Sequence, residues 1–373
     1  MAVLEFHKDC LRSLERSGRL RVLAARRGLD FSSNDYLGLA GSDRLRRAVA
    51  DALERGVAIG SGGSRLLRGN AEEHELLEEE AARFFGAEAA LFMGTGYAAN
   101  ALLFATLPQR GDLVIHDALI HASAHEGMRL SRAERIGFAH NDADAAADAI
   151  ASWRRRGGAG TPWLAVESLY SMDGDRAPLE YLVAVAEREG AMLLIDEAHA
   201  TGVFGPEGRG LAAGLEGRPD VLTLRTCGKA LGCEGALILG SSIARDFLIN
   251  RGRSFIFSTS PSPLIAAAVR EALLLLRDEP ERRERLSALI QHAGREFARL
   301  GLPTTASPIQ PLVLGEDRRA MEAAAALQAR GFDVRGVRPP TVPPGTARLR
   351  LSITLNVDEA AVTALAGALK ELP

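Results

Sequence analysis

Short apolar runs separated by longer helical patterns constrain this chain more than any other feature. "ALFMGTG", "GDLVIHD", "WLAVESLYS", "AMLLIDEAH", "VLTLRT" and "GALILG" have the length and aliphatic character of buried strands. Between them lie helix-like stretches such as "DADAAADAIASWRRR" and "PLEYLVAVAEREG". "EEHELLEEEAARFFG" places apolar residues at helical spacing and stops at Gly86. Strands alternating with helices imply crossover units and a parallel sheet covered on both faces. From about residue 261 the texture changes. Helical patterns dominate, followed by the strand-like "IQPLVLG", the helix-like "RAMEAAAALQARG" and the strand-like "TARLRLSIT". The expected organisation is an N-terminal helix (roughly 5 to 25) with its linker over 1–33, a large α/β domain over 34–260, and a smaller α+β domain over 261–373.

A length of 373 residues fits two such domains. The net charge of −3 gives no reason to expect nucleic acid or an anionic membrane as a partner. Cys10, Cys227 and Cys233 match neither a disulfide framework nor a zinc site. The first residues are polar and lack the apolar core of a signal peptide. No apolar run approaches the ~20 residues of a membrane span. The expectation is a reduced, cytoplasmic, soluble protein.

Ligands of such sheets bind beyond the carboxyl ends of the strands, and the unusual residues fall there. "AMLLI" runs into Asp196, whose buried carboxylate needs a cationic partner or a role as a helix cap. A protonated heteroaromatic nitrogen, as in pyridoxal 5'-phosphate (PLP), is one such partner. His199 follows three residues later and is either a second ligand to the same small molecule or a loop histidine. In "GTGYAAN", Gly94 and Gly96 allow close backbone approach and the helix start attracts phosphate; Tyr97 could lie beside a flat ring. His116, His121 and His125 fit no standard zinc spacing, and His121 is the candidate for stacking on a ring. Ser171 follows a strand end as a possible donor. "GSGGSRLLRGN" is either a binding loop or a solvated turn.

Lys229 is the sharpest signal. The basic residues are nearly all Arg, with lysine only at positions 8, 229 and 370. Arg stays protonated, whereas Lys can lose its proton and attack a carbonyl to form a Schiff base. "VLTLRTCGKALG" sets Lys229 in a small polar turn after a strand, with Thr226 three residues earlier to bond a phosphate oxygen. Asp196 precedes it by one helix-plus-strand interval, which suits neighbouring strand ends.

The segments "FSSNDYLGL", "GSGGSRLLRGN", "GTGYAAN", "IHASAHEGM", "SMDGDRAPL", "DEAHATGVFGPEGRG", "TCGKALG", "FSTSPSP" and "RPPTVPPGTARLRLSIT" together resemble the α-oxoamine synthases, PLP enzymes of the aspartate-aminotransferase-like fold (fold type I). The resemblance covers most of the chain. It implies an α/β protein with a large, mostly parallel seven-stranded sheet domain and a smaller C-terminal α+β domain. It implies that Lys229 forms the Schiff base with PLP, that Asp196 pairs the pyridine nitrogen, and that His199 and Ser171 bond the phenolate oxygen. It further implies that His121 stacks on the ring, that Gly96, Tyr97 and Thr226 hold the phosphate, and that Thr259 reaches the phosphate of a second copy in a homodimer. Asn34 and Arg350 would bind the amino acid's carboxylate. Arg348 shares a strand face with Arg350, so that choice rests on the resemblance alone. Arg21 and Arg338 are candidates for the acyl substrate's far carboxylate or carrier phosphates. The stretch "IQPLV…RPPTVPPGTARLRL" favours the members that condense L-alanine with a pimeloyl thioester. Glycine-using members and a non-catalytic partner subunit are the rival readings, and the intact set Asp196, His199 and Lys229 argues against the second. Two departures stand out: the segment before "FSSNDYLGL" is too short for the usual small N-terminal strands, and Cys227 and Glu234 flank the Lys motif.

Overall fold

The computed structural model describes residues 3–372. The chain forms two compact units, one of residues 37–171 and 176–283, the other of residues up to 36, 172–175 and 284 onward. Helix Pro263–Asp278, which lies past the expected boundary at 261, belongs to the larger unit.

The larger unit is built on a seven-stranded sheet in the order Ala89–Met93, Ala236–Gly240, Val221–Thr226, Met192–Asp196, Pro162–Glu167, Leu113–Asp117, Glu134–Phe138. All pairings are parallel except those of Ala236–Gly240, which runs antiparallel to both neighbours. The apolar runs became strands as expected. Glu134–Phe138 escaped notice because "ERIGF" is a half-exposed edge strand with no apolar run. Side chains alternate between two cores, as the period of two requires. Val114, Ala165, Leu194, Leu222 and Leu224 meet Leu102, Leu103, Phe104 and Met128 on one face. Ile115, Leu164, Val166, Leu193, Ile195 and Val221 meet Ile150, Trp153, Leu182 and Val185 on the other. Burying both faces explains why these strands read as continuous apolar runs.

Helices Gly96–Thr106 and Ala122–Leu130 pack tightly within the first face. A Cβ on Gly127 would stand 2.8 Å from the carbonyl oxygen of Asn100 and 3.0 Å from Phe104 Cβ, so only hydrogen fits there.

The smaller unit carries an antiparallel sheet of Arg335–Val337, Ala347–Ser352 and Ile309–Gly315, with helices Asp317–Ala329 and Glu359–Lys370. The N-terminal helix is shorter than expected: it spans Glu5–Arg16 rather than reaching 25. Gly18, at φ 67°, takes a left-handed conformation that ends it. The expectation of no small N-terminal strand is also corrected, since Leu29–Asp30 pairs in parallel with Phe332–Asp333. Its two residues are held by backbone bonds and leave no side-chain pattern to read. Among the described residues no helix is long and apolar enough to cross a membrane.

Gly127→Ala should cost about 1–3 kcal/mol through overpacking. Gly367, exposed in helix Glu359–Lys370 with nothing near its missing Cβ, should instead gain about 0.5–1 kcal/mol on Gly→Ala. Urea unfolding of both variants checks the two signs.

Candidate active site

The alternation that sorts the cores also sorts the strand ends. Asp196 shares the parity of Leu194, Glu167 that of Ala165, and Thr226 that of Leu224, so all three project from the face covered by helices Gly96–Thr106 and Ala122–Leu130. Asp196 and Glu167 are direct partners in the strand register. Asp196 accepts from the Ala198 amide at 2.9 Å through Oδ1 and from Asn100 Nδ2 at 2.8 Å through Oδ2. The capping reading and the ligand reading of this carboxylate are therefore compatible: one oxygen ties the turn and the other is oriented by an amide. His199 is buried in that same turn, whose Ala198 carbonyl accepts from Thr226 Oγ1 at 3.3 Å.

Lys229 sits in the 227–235 loop of the hairpin between Val221–Thr226 and Ala236–Gly240. The loop closes on itself: the Cys227 amide donates to Gly235 O, Cys233 to Cys227 O and Gly232 to Lys229 O, all at 2.8–2.9 Å. Gly232 and Gly235 have φ of 65° and 103°, and a Cβ on either would strike neighbouring atoms at 2.4–2.5 Å. Lys229 Nζ is half-buried and lies 3.3 Å from Thr226 Oγ1.

Gly96 opens helix Gly96–Thr106, and a Cβ there would stand 2.5 Å from Thr226 Cγ2. The helix start and Thr226 thus meet only because residue 96 lacks a side chain. The Thr95 hydroxyl caps the Ala98 amide at 3.0 Å and leaves the Gly96 and Tyr97 amides outside that cap. His121 is the N-cap of helix Ala122–Leu130 and takes the Ser123 amide on Nδ1 at 3.2 Å. Burial holds its pKa below the usual histidine value; Asp196 opposes that shift and Lys229 adds to it. An amine, a carboxylate beside it, and helix-start amides next to a threonine are the donor set PLP requires: for its aldehyde, ring nitrogen and phosphate. The residues present fit the cofactor. Tyr97 is 53% exposed. Ser171 is buried, and its amide donates to Glu167 Oε2 at 3.1 Å. Thr259 is exposed in the segment whose Pro261 carbonyl lies 2.8 Å from His74 Nε2.

Within the smaller unit, Arg350 is buried and donates to Asn34 Oδ1 at 2.9 Å, Tyr36 Oη at 3.3 Å and Ser352 Oγ at 2.8 Å. Those three bonds go to neutral oxygens. Arg348 instead pairs with the Asp173 carboxylate. This supplies the physical distinction between the two that spacing lacked. Arg338 is also buried and donates to the Leu20 carbonyl at 2.8 Å. Burial lowers its pKa, and the charges of Arg21 and Arg19 lower it further against the pull of Asp317. Arg21 is exposed.

Sequence reasoning missed Glu167, Asn100 and Ser123. Glu167 is 2% exposed, and among the described residues its Oε1 has no hydrogen-bond partner. Burial first, and the Asp196 charge second, raise its pKa well above the usual carboxylate range. The folded state then holds this proton to higher pH than the unfolded chain, whose Glu titrates near 4.3, so stability falls as pH rises above that value. Glu167→Gln removes that slope. In cofactor-free protein, urea unfolding should show the variant gaining on its parent between about pH 5 and 8; parallel pH profiles would refute the assignment.

A family model for aminotransferase class I and II matches residues 26–369. An 8-amino-7-oxononanoate synthase of Anaeromyxobacter dehalogenans is 44% identical over 378 residues, 98% of this chain and 94% of that one. One of Geobacter sulfurreducens is 45% identical over 376 residues, covering 97% and 94%. Among solved structures, a serine palmitoyltransferase from S. paucimobilis with a bound PLP–myriocin aldimine superposes with a TM-score of 0.88 at 27% identity, over 98% of this chain and 96% of that one. The seven-stranded sheet matches that fold, and the chain belongs to the aminotransferase class I and II family and, within it, to the α-oxoamine synthases.

Proposed function

We propose that this chain carries out the reaction of the 8-amino-7-oxononanoate synthases. That reaction is the PLP-dependent condensation of L-alanine with a pimeloyl thioester, releasing CO2 and the carrier thiol, in the cytoplasmic synthesis of biotin. The observation that carries the reading is the pairing of a glycine-bounded lysine loop with an amide-oriented carboxylate at the adjacent strand ends. Identities of 44–45% over nearly the whole chain to proteins of that name support it.

Bound PLP supplies an aldehyde that captures an amino acid's amine and a ring that accepts the electron pair released at Cα. Lys229 would hold the aldehyde carbon and move the Cα proton. Asp196 would keep a proton on the ring nitrogen. Gly96, Tyr97 and Thr226 would hold the phosphate, with Thr259 of a second copy completing that cradle in a homodimer. His199 and Ser171 would bond the phenolate oxygen, and the flat face of His121 would exclude water from one side of the ring. Asn34 and Arg350 would take the alanine carboxylate, for which a guanidinium fork is suited. Arg338 and Arg21, a pair of like charges already close enough to repel, would gain most from an anion and take the far carboxylate of the acyl chain.

Product mass spectrometry tests the reading. Alanine with pimeloyl thioester should yield 8-amino-7-oxononanoate, and glycine or serine should not replace alanine. Exclusive use of glycine would transfer the chain to the glycine-using branch. Lys229→Ala should remove the visible absorption that PLP gains on binding the parent. Arg350→Lys should lower kcat/KM for alanine by about thirtyfold, the ~2 kcal/mol of a hydrogen-bonded charge pair. Arg348→Lys should act mainly on stability, through its Asp173 pairing.

A further inference from the structure

Two buried polar side chains outside the assigned set connect members of it. Asn100, one turn into helix Gly96–Thr106, is 4% exposed; Ser123, in helix Ala122–Leu130, is 1% exposed. The Asn100 carboxamide nitrogen lies 2.8 Å from Asp196 Oδ2 and 2.9 Å from Ser123 Oγ. An ionised carboxylate only accepts, so Asn100 must donate to it, and the second amide hydrogen goes to Ser123. Ser123 Oγ has one proton of its own, and His121 Nδ1 lies 2.7 Å away. The Ser123 backbone amide donates to that same nitrogen. His121 Nδ1 is thus an acceptor twice over, and the proton of the neutral ring must reside on Nε2. The charged groups felt at this imidazole are Asp196 and Lys229.

We propose that Asn100 and Ser123 are positioning residues: through one continuous hydrogen-bond chain they fix the plane of the Asp196 carboxylate and hold His121 as the neutral, Nε2-protonated imidazole. The inference rests on the PLP reading for its consequence. A protonated ring set between these residues would meet the Asp196 anion on one side and an uncharged imidazole on the other. A purely structural role, tying one helix to the other, would show in stability alone.

Side-chain 15N NMR of histidine-labelled, cofactor-free protein decides between them, with the His121 resonances identified by their loss in His121→Gln. The parent should show Nδ1 unprotonated and Nε2 protonated at about pH 7.5 to 8, above the ordinary histidine pKa of about 6.5, which burial lowers here. Ser123→Ala removes the shorter Nδ1 contact, leaves only the 3.2 Å backbone donor, and should move His121 toward a mixture of tautomers; Ser123→Thr, which keeps the hydroxyl, should restore it. Asn100→Leu should weaken PLP binding about tenfold, the loss of one hydrogen bond to a charged group, and shift the pH at which bound PLP changes colour. If Asn100→Leu does not fold, the serine pair still decides. An unaltered His121 tautomer in Ser123→Ala, or a colour change at the parental pH in folded Asn100→Leu, would overturn the proposal. If the parent binds no PLP, the cofactor reading fails, while the tautomer measurement still tests the hydrogen-bond chain.

Discussion

A carboxylate at the end of a buried strand must be met by donors, and much of the larger unit is arranged to meet Asp196. Its own turn supplies one amide and helix Gly96–Thr106 supplies another through Asn100. That helix comes close because Gly96 lets its first turn settle on Thr226, and because Gly127 lets the neighbouring helix settle on it. The antiparallel strand Ala236–Gly240 turns the chain back and leaves Lys229 in the returning loop. The charges around the pocket are sorted by the same burial. Burial first, and the Asp196 charge second, push the Glu167 pKa up, while burial lowers that of His121. Asp196 and Lys229 are the charges felt at His121, and the carboxylate offers a cationic heterocycle its counter-ion.

Much of this was legible in the sequence, for a physical reason. Strands buried on both faces must be continuously apolar, so their ends are conspicuous wherever a charged residue follows. Asp196 stood out on that ground, and Lys229 as a mid-chain lysine where nearly every other basic residue is Arg. The exceptions share a cause too. Glu134–Phe138 lies at an edge, half exposed, and carries no apolar requirement. Leu29–Asp30 is two residues long, too short for a period of two to show. Asn100 and Ser123 sit in helices where a small polar residue is unremarkable, and only the crossing of two helices reveals that they touch. Glu167 could have been found, since "WLAVE" ends in a carboxylate just as "AMLLID" does. Read beside Asp196, it pointed to two acids at neighbouring strand ends, a pattern that pushes one of them toward its neutral form.

The arginines of the smaller unit show the opposite limit. A period of two places Arg348 and Arg350 on one strand face and treats them alike. Their surroundings do not. Asp173 neutralises Arg348, whereas Asn34, Tyr36 and Ser352 offer Arg350 neutral oxygens. Partners of a buried charge come from distant stretches of chain, here residues 34–36 and 173, and no local pattern announces them. The resemblance picked Arg350 on grounds of pattern, and the hydrogen bonds show that the two arginines differ in their partners.

The residues next in sequence to the site face the other way and explain why the strand ends hold still. Glu197 follows Asp196 and Arg225 precedes Thr226; both are fully buried and bonded at 3.1 Å. Arg225 also pairs with Glu216 at 2.5 Å, donates to Arg209 O at 2.6 Å and lies 4.1 Å over the Phe85 ring. Two carboxylates share one guanidinium, and burial raises the Glu197 pKa in spite of Arg225. Such a cluster adds little net stability over an apolar one, but removing a single member strands a charge at a cost of about 3–5 kcal/mol. A Cβ on Gly210 would lie 1.6 Å from Glu197 Oε2 and 2.6 Å from Arg225 Nη1, so these buried side chains leave room only for glycine there. The triad therefore resists displacement more than it lowers energy. Because alternate residues of one strand move together, pinning Glu197 and Arg225 on one face pins Asp196 and Thr226 on the other.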